Sequence, residues 1–290
     1  MPAIPPGTSL LVDTQTLAER LDDPRLRVVD IRGAIKPPSA PKPWYAPKRD
    51  AYLAAHIPGA AFVDWTEDIV EPAAPVAMTL AGPLRFKALM ERLGIGDDSE
   101  VVIYDDTGGL APRLWWALNY YGHGQVRLLD GGWNKWVAEG RPVTAAPPAP
   151  RRAVFTPRVR PGWRAATSEV KAAMKAAGIA LVDCRSAEEW RGEIGRGEKA
   201  KGRIPGSVNV PSVTALEGEY RTWKSPEEIR DLYAKAGVTP ERPVITYCNA
   251  GVSAAAGLFA LKLAGFPVAA NYAGSWYEWE ADPANPIETG

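Results

Sequence analysis

The stretch Val244-Ile-Thr-Tyr-Cys-Asn-Ala-Gly-Val-Ser-Ala-Ala-Ala-Gly-Leu-Phe-Ala-Leu-Lys262 decides the fold of the second half of this chain. Its first four residues are mostly β-branched or aromatic, which predicts a buried strand, and Ala254–Lys262 has the composition of a helix. Between them lies Cys248–Ser253, a short loop that contains a glycine. Strands that alternate with helices form parallel α/β sheets, whose ligands bind at the carboxyl edge. We therefore expect the chemistry of this chain at Cys248.

The same pattern occurs twice along the chain. Five motifs keep their order in both halves, at an offset of about 153 (183 minus 30) that settles at about 143 (247 minus 104). Order and spacing together indicate a duplicated domain. The matched pairs are Val28–Arg32 with Leu181–Arg185, His56–Ala60 with Arg203–Ser207, Leu93–Ile95 with Ala236–Val238, Val101–Tyr104 with Val244–Tyr247, and Asp130–Trp133 with Ala273–Trp276.

Each half is predicted to be an α/β domain with a mostly parallel sheet flanked by helices. We place the first domain at residues 1–145, a proline-rich linker at 146–160 and the second domain at 161–290. Ser225 followed by Pro226 is a typical helix start. The predicted strands are Val28–Ile31, Val101–Tyr104, Leu181–Val182 and Val244–Tyr247, and the predicted amphipathic helices are Leu84–Leu93 and Glu227–Ala236, which end at Gly94 and Gly237.

The composition of the 290 residues is that of a soluble globular protein, with 46% hydrophobic and 23% charged residues. A formal net charge of zero argues against nucleic acid and acidic membranes as partners. The opening run Met1–Gly7 lacks the pattern of a secretory signal, and no apolar run is long enough to span a membrane. We therefore expect a cytoplasmic protein. Two cysteines and two histidines, with no CxxC pair, argue against a disulfide framework and a zinc site.

The loop after Cys248 has the features of an anion-binding cradle. Its backbone N–H groups, in Asn249, Ala250, Gly251, Val252 and Ser253, precede a helix whose first turn carries partial positive charge. Such a cradle stabilises a thiolate and equally a persulfide anion. Ser253 is predicted to cap the helix. The alternative is a buried, inert cysteine. Cys184 is predicted to lie on the opposite face from Cys248, which disfavours a redox pair.

The chain resembles the tandem-domain rhodanese-type sulfurtransferases, which include thiosulfate and 3-mercaptopyruvate sulfurtransferases. The resemblance covers nearly the whole chain apart from the first residues and the linker. It implies an inactive first domain and a catalytic second domain, and Asp105 does stand where the second half has Cys248. The motifs that carry it are Val182–Arg185, Gly202–Gly206, Tyr247–Ser253, Tyr272–Trp276 and their first-half partners.

The chemistry that the resemblance implies is a double displacement without metal or organic cofactor. Cys248 takes sulfur from a small-molecule donor as a persulfide, and a thiophilic acceptor then removes it. The acceptor is cyanide in an assay, or a cellular thiol such as thioredoxin or glutathione. The neutral loop is closer to the mercaptopyruvate type than to the thiosulfate type. The family's relay serine is replaced by Ala250, so a relay of His56 and Asp50 needs Ser253 or Asn249 as a substitute.

A mercaptopyruvate donor needs a cationic clamp for its carboxylate, for which arginine is best suited. Arg185 is the first candidate, since it lies in the family motif. The family's second arginine is replaced by Glu189, and either Arg191 or Arg196 is expected to take its place. The alternative for each arginine is an ion pair at the surface.

Two other functions compete with sulfur transfer. Phosphatases that share this fold need an arginine six residues after the cysteine, a position that Ala254 occupies here. A non-catalytic scaffold or sulfur-sensing module remains open, because Ala250 and Glu189 depart from the family pattern. Persulfide formation on Cys248 distinguishes a sulfurtransferase from such a module.

Overall fold

Two parallel sheets, one in each half of the chain, organise the computed structural model, which describes residues 9–175, 178–197 and 200–290. The opening run Met1–Gly7 lies outside the described residues. In the first half the strands are β1 (Leu11–Val12), β2 (Leu26–Asp30), β3 (Gly33–Ile35), β4 (Tyr45–Pro47), β5 (Ala61–Phe62), β6 (Glu100–Tyr104) and β7 (Val126–Leu129). The helices are α1 (Thr14–Glu19), α2 (Arg49–Ala54), α3 (Pro83–Arg92), α4 (Ala111–Tyr120) and α5 (Gly132–Ala138).

The second half repeats this arrangement with a smaller sheet. Its strands are β8 (Ala180–Asp183), β9 (Val208–Asn209), β10 (Leu216–Glu217), β11 (Thr222–Trp223), β12 (Val244–Tyr247) and β13 (Ala269–Asn271). Its α-helices are α6 (Thr167–Lys175), α7 (Ala187–Trp190), α8 (Pro226–Lys235), α9 (Val252–Leu263) and α10 (Ser275–Ala281). Short 3-10 helices occupy Pro161–Trp163 and Ser212–Ala215.

Both main sheets are parallel throughout. The strand orders are β1-β7-β6-β2-β5 in the first half and β13-β12-β8-β9 in the second, while β3-β4 and β10-β11 are small antiparallel hairpins. Helices cover the sheets, so the predicted α/β fold class is confirmed. Sequential strands that return in parallel need such helical crossovers.

The predicted elements agree with the structure to within about two residues at each end. Ser225 caps α8 with a complete capping box, in which its hydroxyl accepts from the Glu228 N–H. Helix α9, however, begins at Val252, two residues before the predicted start, and its N-cap is Gly251. The prediction that Ser253 caps this helix is wrong, because the left-handed turn at Gly251 starts the helix earlier.

The core joins the two halves. One apolar cluster contains residues of both sheets, and helices α4 and α9 pack against each other across the boundary. Trp115 of α4 meets Phe259 of α9 edge-on, with ring centroids 4.9 Å apart. Burial of two such aromatic side chains is a strong apolar contact. The helix that follows the Cys248 loop is therefore fixed against the first half of the chain.

The segment between the halves forms no helix or strand from residue 145 to residue 160. This segment packs along the surface of the first half. There the N–H groups of Arg158 and Arg160 donate to the carbonyls of Tyr121 and Tyr120 at 2.8 and 2.7 Å. The division into residues 1–145, 146–160 and 161–290 stays a prediction. Within the described ranges, no helix is long and apolar enough to cross a membrane.

Candidate active site

Cys248 lies at the carboxyl end of β12 and is 3% exposed. Its N–H donates to the Ser275 hydroxyl at 3.1 Å, and its carbonyl accepts from the Trp276 N–H at 2.9 Å. The next carbonyl, of Asn249, accepts from the Tyr277 N–H at 3.0 Å. The start of α10 therefore holds the first residues of the loop by their backbone. The sulfur is placed at the sheet edge where α/β proteins bind ligands.

Gly251 turns the loop into helix α9. Its φ is +74°, in the left-handed region that favours glycine. A Cβ atom at this position would lie 2.5 Å from the carbonyl oxygen of Ala273. The Gly251 carbonyl accepts from Arg113 Nη1 and from Asn271 Nδ2, both at 3.1 Å. The loop is thus held by groups from both halves of the chain.

The equivalent loop of the first half is filled by its own carboxylate. Asp105 accepts from the backbone N–H groups of four residues at 2.5 to 2.7 Å, and it is buried. These donors are Thr107, Gly108, Leu110 and Ala111. At the offset of 143 (248 minus 105), they correspond to Ala250, Gly251, Ser253 and Ala254. The geometry of this loop type therefore suits an anion at the position of the Cys248 side chain.

A cavity of about 810 Å³ opens over Cys248 at the boundary between the two halves. The Cys248 loop and the segments at residues 184–189 and 211–214 supply one side. The other side comes from the first half, through Ile35, Tyr45, Asp106, Thr107, Gly109 and Asn134. Within the described ranges, the basic residues that line the cavity are Arg185, Arg196 and Arg221. A small polar donor fits such a space, and both halves form its walls.

Cys184 also lines this cavity. Its N–H donates to the Tyr247 carbonyl at 2.8 Å, so it is the register neighbour of Cys248 on the adjacent strand. Side chains at matched positions of neighbouring strands point to the same face. The prediction that the two cysteines lie on opposite faces is therefore wrong. Both are free thiols, and burial raises the pKa of Cys184 well above its usual range, so this thiol stays protonated at neutral pH.

Arg185 is held in a buried ion pair beneath the site. Its Nη2 donates to Asp183 at 2.6 Å and to the Gly202 carbonyl at 2.7 Å, and its guanidinium lies 4.8 Å from the Trp276 ring centroid. In the first half Arg32 makes the same pair with Asp30 and lies over Trp133. The same ion pair occurs in the half of the chain that has Asp105 in place of Cys248, which indicates a structural role. The role of Arg185 as a substrate clamp stays a prediction that this pairing disfavours.

Replacing Arg185 by methionine tests that structural role. We expect Arg185→Met to lower the free energy of unfolding by about 3–5 kcal/mol, because it leaves Asp183 buried without its partner. Arg32→Met in the first half is the matched control and should cost a similar amount. Urea unfolding of both variants measures the effect. A stable Arg185→Met protein with a greatly raised KM for donor would instead support a substrate clamp.

Glu189 and Arg196 form a second ion pair at the cavity, in addition to that of Arg185 with Asp183. The Arg196 Nε donates to Glu189 at 3.1 Å, and Asn249 Nδ2 donates to the same carboxylate oxygen at 2.8 Å. Arg196 Nη1 also donates to the Lys36 carbonyl of the first half at 2.5 Å. Arg191 instead pairs with Glu193 on the surface and does not line the cavity. Of the two arginines that the sequence left open, Arg196 lines the cavity that contains Cys248 and Arg191 does not.

The predicted relay is not assembled. His56 is buried in the first half, where its Nδ1 lies 2.8 Å from the Tyr52 carbonyl and its Nε2 lies 3.0 Å from that of Ala146. Asp50 is exposed on α2. Neither residue lines the cavity, whereas Asn249 and Ser253 do. The relay prediction is wrong because His56 lies in the first half away from the cavity, where it joins the end of α2 to residues 144–146.

Three residues at or beneath the site were missed by the sequence analysis. Tyr45 and Arg221 line the cavity, and Arg113 contacts the Cys248 loop. Burial, and then the neighbouring Tyr277, raise the pKa of Tyr45, whose hydroxyl lies 3.2 Å from that of Tyr277. A signal did exist for Arg113, since it is a lone charge in an otherwise apolar helix. Within the described ranges, no group of three or more His, Cys, Asp or Glu side chains could hold a metal ion.

Comparison with protein families gives one match that covers most of the chain. The model of the rhodanese-like domain matches residues 13–139 and again residues 166–282. These two matches contain every strand of the two main sheets except β1, and they agree with the internal repeat. The second match contains Cys248 and its loop.

Curated relatives match along almost their whole length. The sulfur carrier protein TtuD of Thermus thermophilus is 35% identical, with 97% of each chain covered. A probable 3-mercaptopyruvate sulfurtransferase of Pseudomonas aeruginosa is 35% identical over 98% of this chain and 99% of the relative. The thiosulfate sulfurtransferase of Bos taurus is 35% identical over 97% and 95%. Among solved structures, SseA from Escherichia coli, described among the 3-mercaptopyruvate sulfotransferases, superposes with a TM-score of 0.82 at 30% identity, covering 93% of this chain and 99% of SseA.

Proposed function

Because this chain belongs to the rhodanese-like family and is an enzyme of the sulfurtransferase type, we propose that it carries sulfane sulfur as a persulfide on Cys248. The observation that carries this proposal is the position of Cys248 under a loop whose first-half counterpart binds a carboxylate through four N–H groups. A persulfide, like a carboxylate, is an anion that such a loop stabilises. A buried, inert cysteine does not explain this cavity.

The reaction proceeds in two displacements. The Cys248 thiolate attacks the outer sulfur of thiosulfate, and the S–S bond breaks as its electron pair leaves with sulfite. With 3-mercaptopyruvate the C–S bond breaks instead, and the electron pair stays on carbon, which takes a proton to give pyruvate. A nucleophilic acceptor then attacks the outer persulfide sulfur and restores the thiolate. Cyanide gives thiocyanate in this step, and a cellular thiol of the thioredoxin or glutathione kind gives its own persulfide.

The donor is proposed to be 3-mercaptopyruvate in preference to thiosulfate. No lysine of the described residues lines the cavity, and the loop after Cys248 carries no charge. Arg196 lines the cavity and pairs with Glu189, but this pair, with side-chain exposures of 11% and 5%, is less buried than that of Arg185 with Asp183, at 2% and 0%. A guanidinium of this kind suits a carboxylate donor.

Arg196 and Arg191 form a matched pair of variants that tests the clamp. We expect Arg196→Gln to raise the KM for 3-mercaptopyruvate roughly 10- to 100-fold, the effect of losing one charged hydrogen bond. Arg191→Gln, on the surface, should leave KM unchanged. Steady-state transfer to cyanide measures both. Recovery of the normal KM in Glu189→Gln/Arg196→Gln would show that an unpaired Glu189, and not a lost clamp, caused the change.

The experiment that tests the proposed function is mass spectrometry of the intact protein after incubation with each donor. We expect a gain of one sulfur atom, located on the peptide that contains Cys248 and lost again on addition of cyanide. Absence of this adduct with both donors would favour a non-catalytic scaffold. An adduct that persists with cyanide but passes to a protein thiol would favour a sulfur carrier, the function for which the relative TtuD is named.

A further inference from the structure

One buried arginine of this protein has no carboxylate partner. Among the described residues four arginines are buried, and three of them pair with acids, namely Arg32 with Asp30, Arg185 with Asp183 and Arg203 with Glu288. The fourth, Arg113 of α4, is 1% exposed and makes no ion pair with any of the described residues. Burying a charge is costly unless an opposite charge compensates it. The unpaired guanidinium therefore calls for an anion that is not a carboxylate of the protein.

The contacts of Arg113 point to the Cys248 loop. Its Nη1 donates to the Gly251 carbonyl at 3.1 Å, its Nη2 donates to the Met78 carbonyl at 2.8 Å, and its Nε has no partner among the described residues. The guanidinium lies 4.8 Å from the Trp116 ring centroid. Two neutral carbonyls and an aromatic face do not neutralise a full charge.

We infer that Arg113 is a positioning residue that the first domain contributes to the active site, where its charge balances the anion on Cys248. The inference rests on the proposed function, because the anion is the thiolate or persulfide of that reaction. Arg113 acts through the Gly251–Val252 peptide and does not touch the donor. The domain that lacks a catalytic cysteine thus supplies the counter-charge for the domain that has one.

The geometry of the Gly251–Val252 peptide explains how the charge reaches the loop. In a trans peptide the N–H points opposite to the carbonyl. The Gly251 carbonyl is fixed by Arg113 and Asn271, so the Val252 N–H points away from both of them. This N–H is the first of the free donors at the start of α9. In the first half the equivalent N–H, of Gly109, donates to the Thr107 hydroxyl at 3.2 Å and not to Asp105. Arg113 therefore acts on the anion through its charge and through the fixed position of the Gly251 carbonyl.

The charge on Arg113 persists at neutral pH. Burial lowers the pKa of its guanidinium to about 10, and the nearby Cys248 sulfur acts in the opposite direction. A group with this pKa is almost fully protonated at pH 7. The guanidinium and an anionic sulfur therefore stabilise each other.

Other ionisable groups also line the cavity with Cys248. Arg185 is paired with Asp183, and Asp106 is paired with Lys48. Arg221, Glu188 and Glu219 complete the charged lining. The hydroxyl of Tyr45 comes from β4, and the thiol of Cys184 follows β8. Glu189 of α7 and Arg196, which pair with each other, reach the loop through Asn249. Tyr45 and Cys184 have raised pKa values and are neutral at pH 7, and the charges of Glu189 and Arg196 offset each other. Arg221 is exposed to solvent, whereas Arg113 is buried without an acidic partner among the described residues.

Alkylation of Cys248 by iodoacetamide as a function of pH tests the inference, with modification located by peptide mass spectrometry. This reaction needs no sulfur donor, so it can fail or succeed independently of the proposed function. In Arg113→Gln we expect the pH midpoint of alkylation to rise by about one unit, the effect of removing a nearby cation. Arg113→Lys keeps the charge and should keep the wild-type midpoint. Asn271→Ala removes a neutral donor to the same carbonyl and should shift the midpoint less than Arg113→Gln does.

Near-ultraviolet circular dichroism establishes that each variant is folded. An unchanged midpoint in folded Arg113→Gln would overturn the inference. An equal rise in Arg113→Gln and Asn271→Ala would also overturn it, since bonding to the carbonyl and not charge would then matter. If Arg113→Gln does not fold, Arg113→Lys decides: a wild-type midpoint supports the role of the charge, and a midpoint raised by about one unit contradicts it.

Discussion

Cys248→Ser is expected to abolish sulfur transfer to cyanide from both thiosulfate and 3-mercaptopyruvate, a loss of at least about 10⁴-fold in kcat. A serine hydroxyl stays protonated at neutral pH and cannot hold a second sulfur as a persulfide, so both displacements fail together. Serine fills nearly the same volume, and the fold should persist. The measurement is the rate of thiocyanate formation at saturating donor.

Cys184→Ser is the matched control for this variant. Cys184 lies beside Cys248, but burial keeps its thiol protonated. We expect this variant to keep its turnover with both donors. Measurable turnover in Cys248→Ser that disappears in the double variant would show that Cys184 carries the sulfur, contrary to the proposal.

Gly251→Ala is expected to combine a loss of stability with a loss of activity. Forcing alanine into the left-handed region costs roughly 1–2 kcal/mol, and the overlap of its Cβ with the Ala273 carbonyl adds about 1–3 kcal/mol. The clash is with backbone, so the loop has to move. A displacement of the reacting sulfur by roughly 1 Å costs about 10²-fold in rate. Urea unfolding and donor turnover measure the two effects.

Gly265, just after the other end of helix α9, provides the control. Its φ is +84°, and a Cβ atom there would meet nothing within 4 Å. Gly265→Ala should therefore cost roughly 1–2 kcal/mol of stability and leave turnover unchanged. Equal losses of activity in the two variants would show that helix stability, and not the shape of the loop, controls the reaction.

Local sequence patterns predicted much of this protein. The strand–loop–helix unit around Cys248 and the helix start at Ser225 depend on neighbouring residues, and the structure has both. The repeat aligned Asp105 with Cys248, and in the structure the two residues follow the equivalent strands β6 and β12. Propensity, capping and periodicity act over a few residues, so they can be inferred from one sequence.

Contacts between distant segments could not be predicted in the same way. Arg113 meets Gly251 across 138 residues, and only the packing of α4 on α9 brings them together. The position of Cys184 depends on the register of β8 against β12, since alternation along one strand gives no information on its neighbour. The prediction for His56 also depended on a contact between distant segments. The family resemblance placed its side chain beside Cys248, whereas it lies within the first half, away from the cavity.

The carboxylate of Asp105 in the first loop has a consequence for stoichiometry. The Asp105 carboxylate accepts from four backbone N–H groups. It occupies the anion-binding position of this loop, so a persulfide cannot bind there. With the proposed persulfide on Cys248, we therefore expect the chain to load one sulfur equivalent per cycle. Donor and acceptor then bind successive forms of the same site, the thiolate and the persulfide, so we expect thiocyanate, the product of the second displacement, to compete with the donor for the thiolate form.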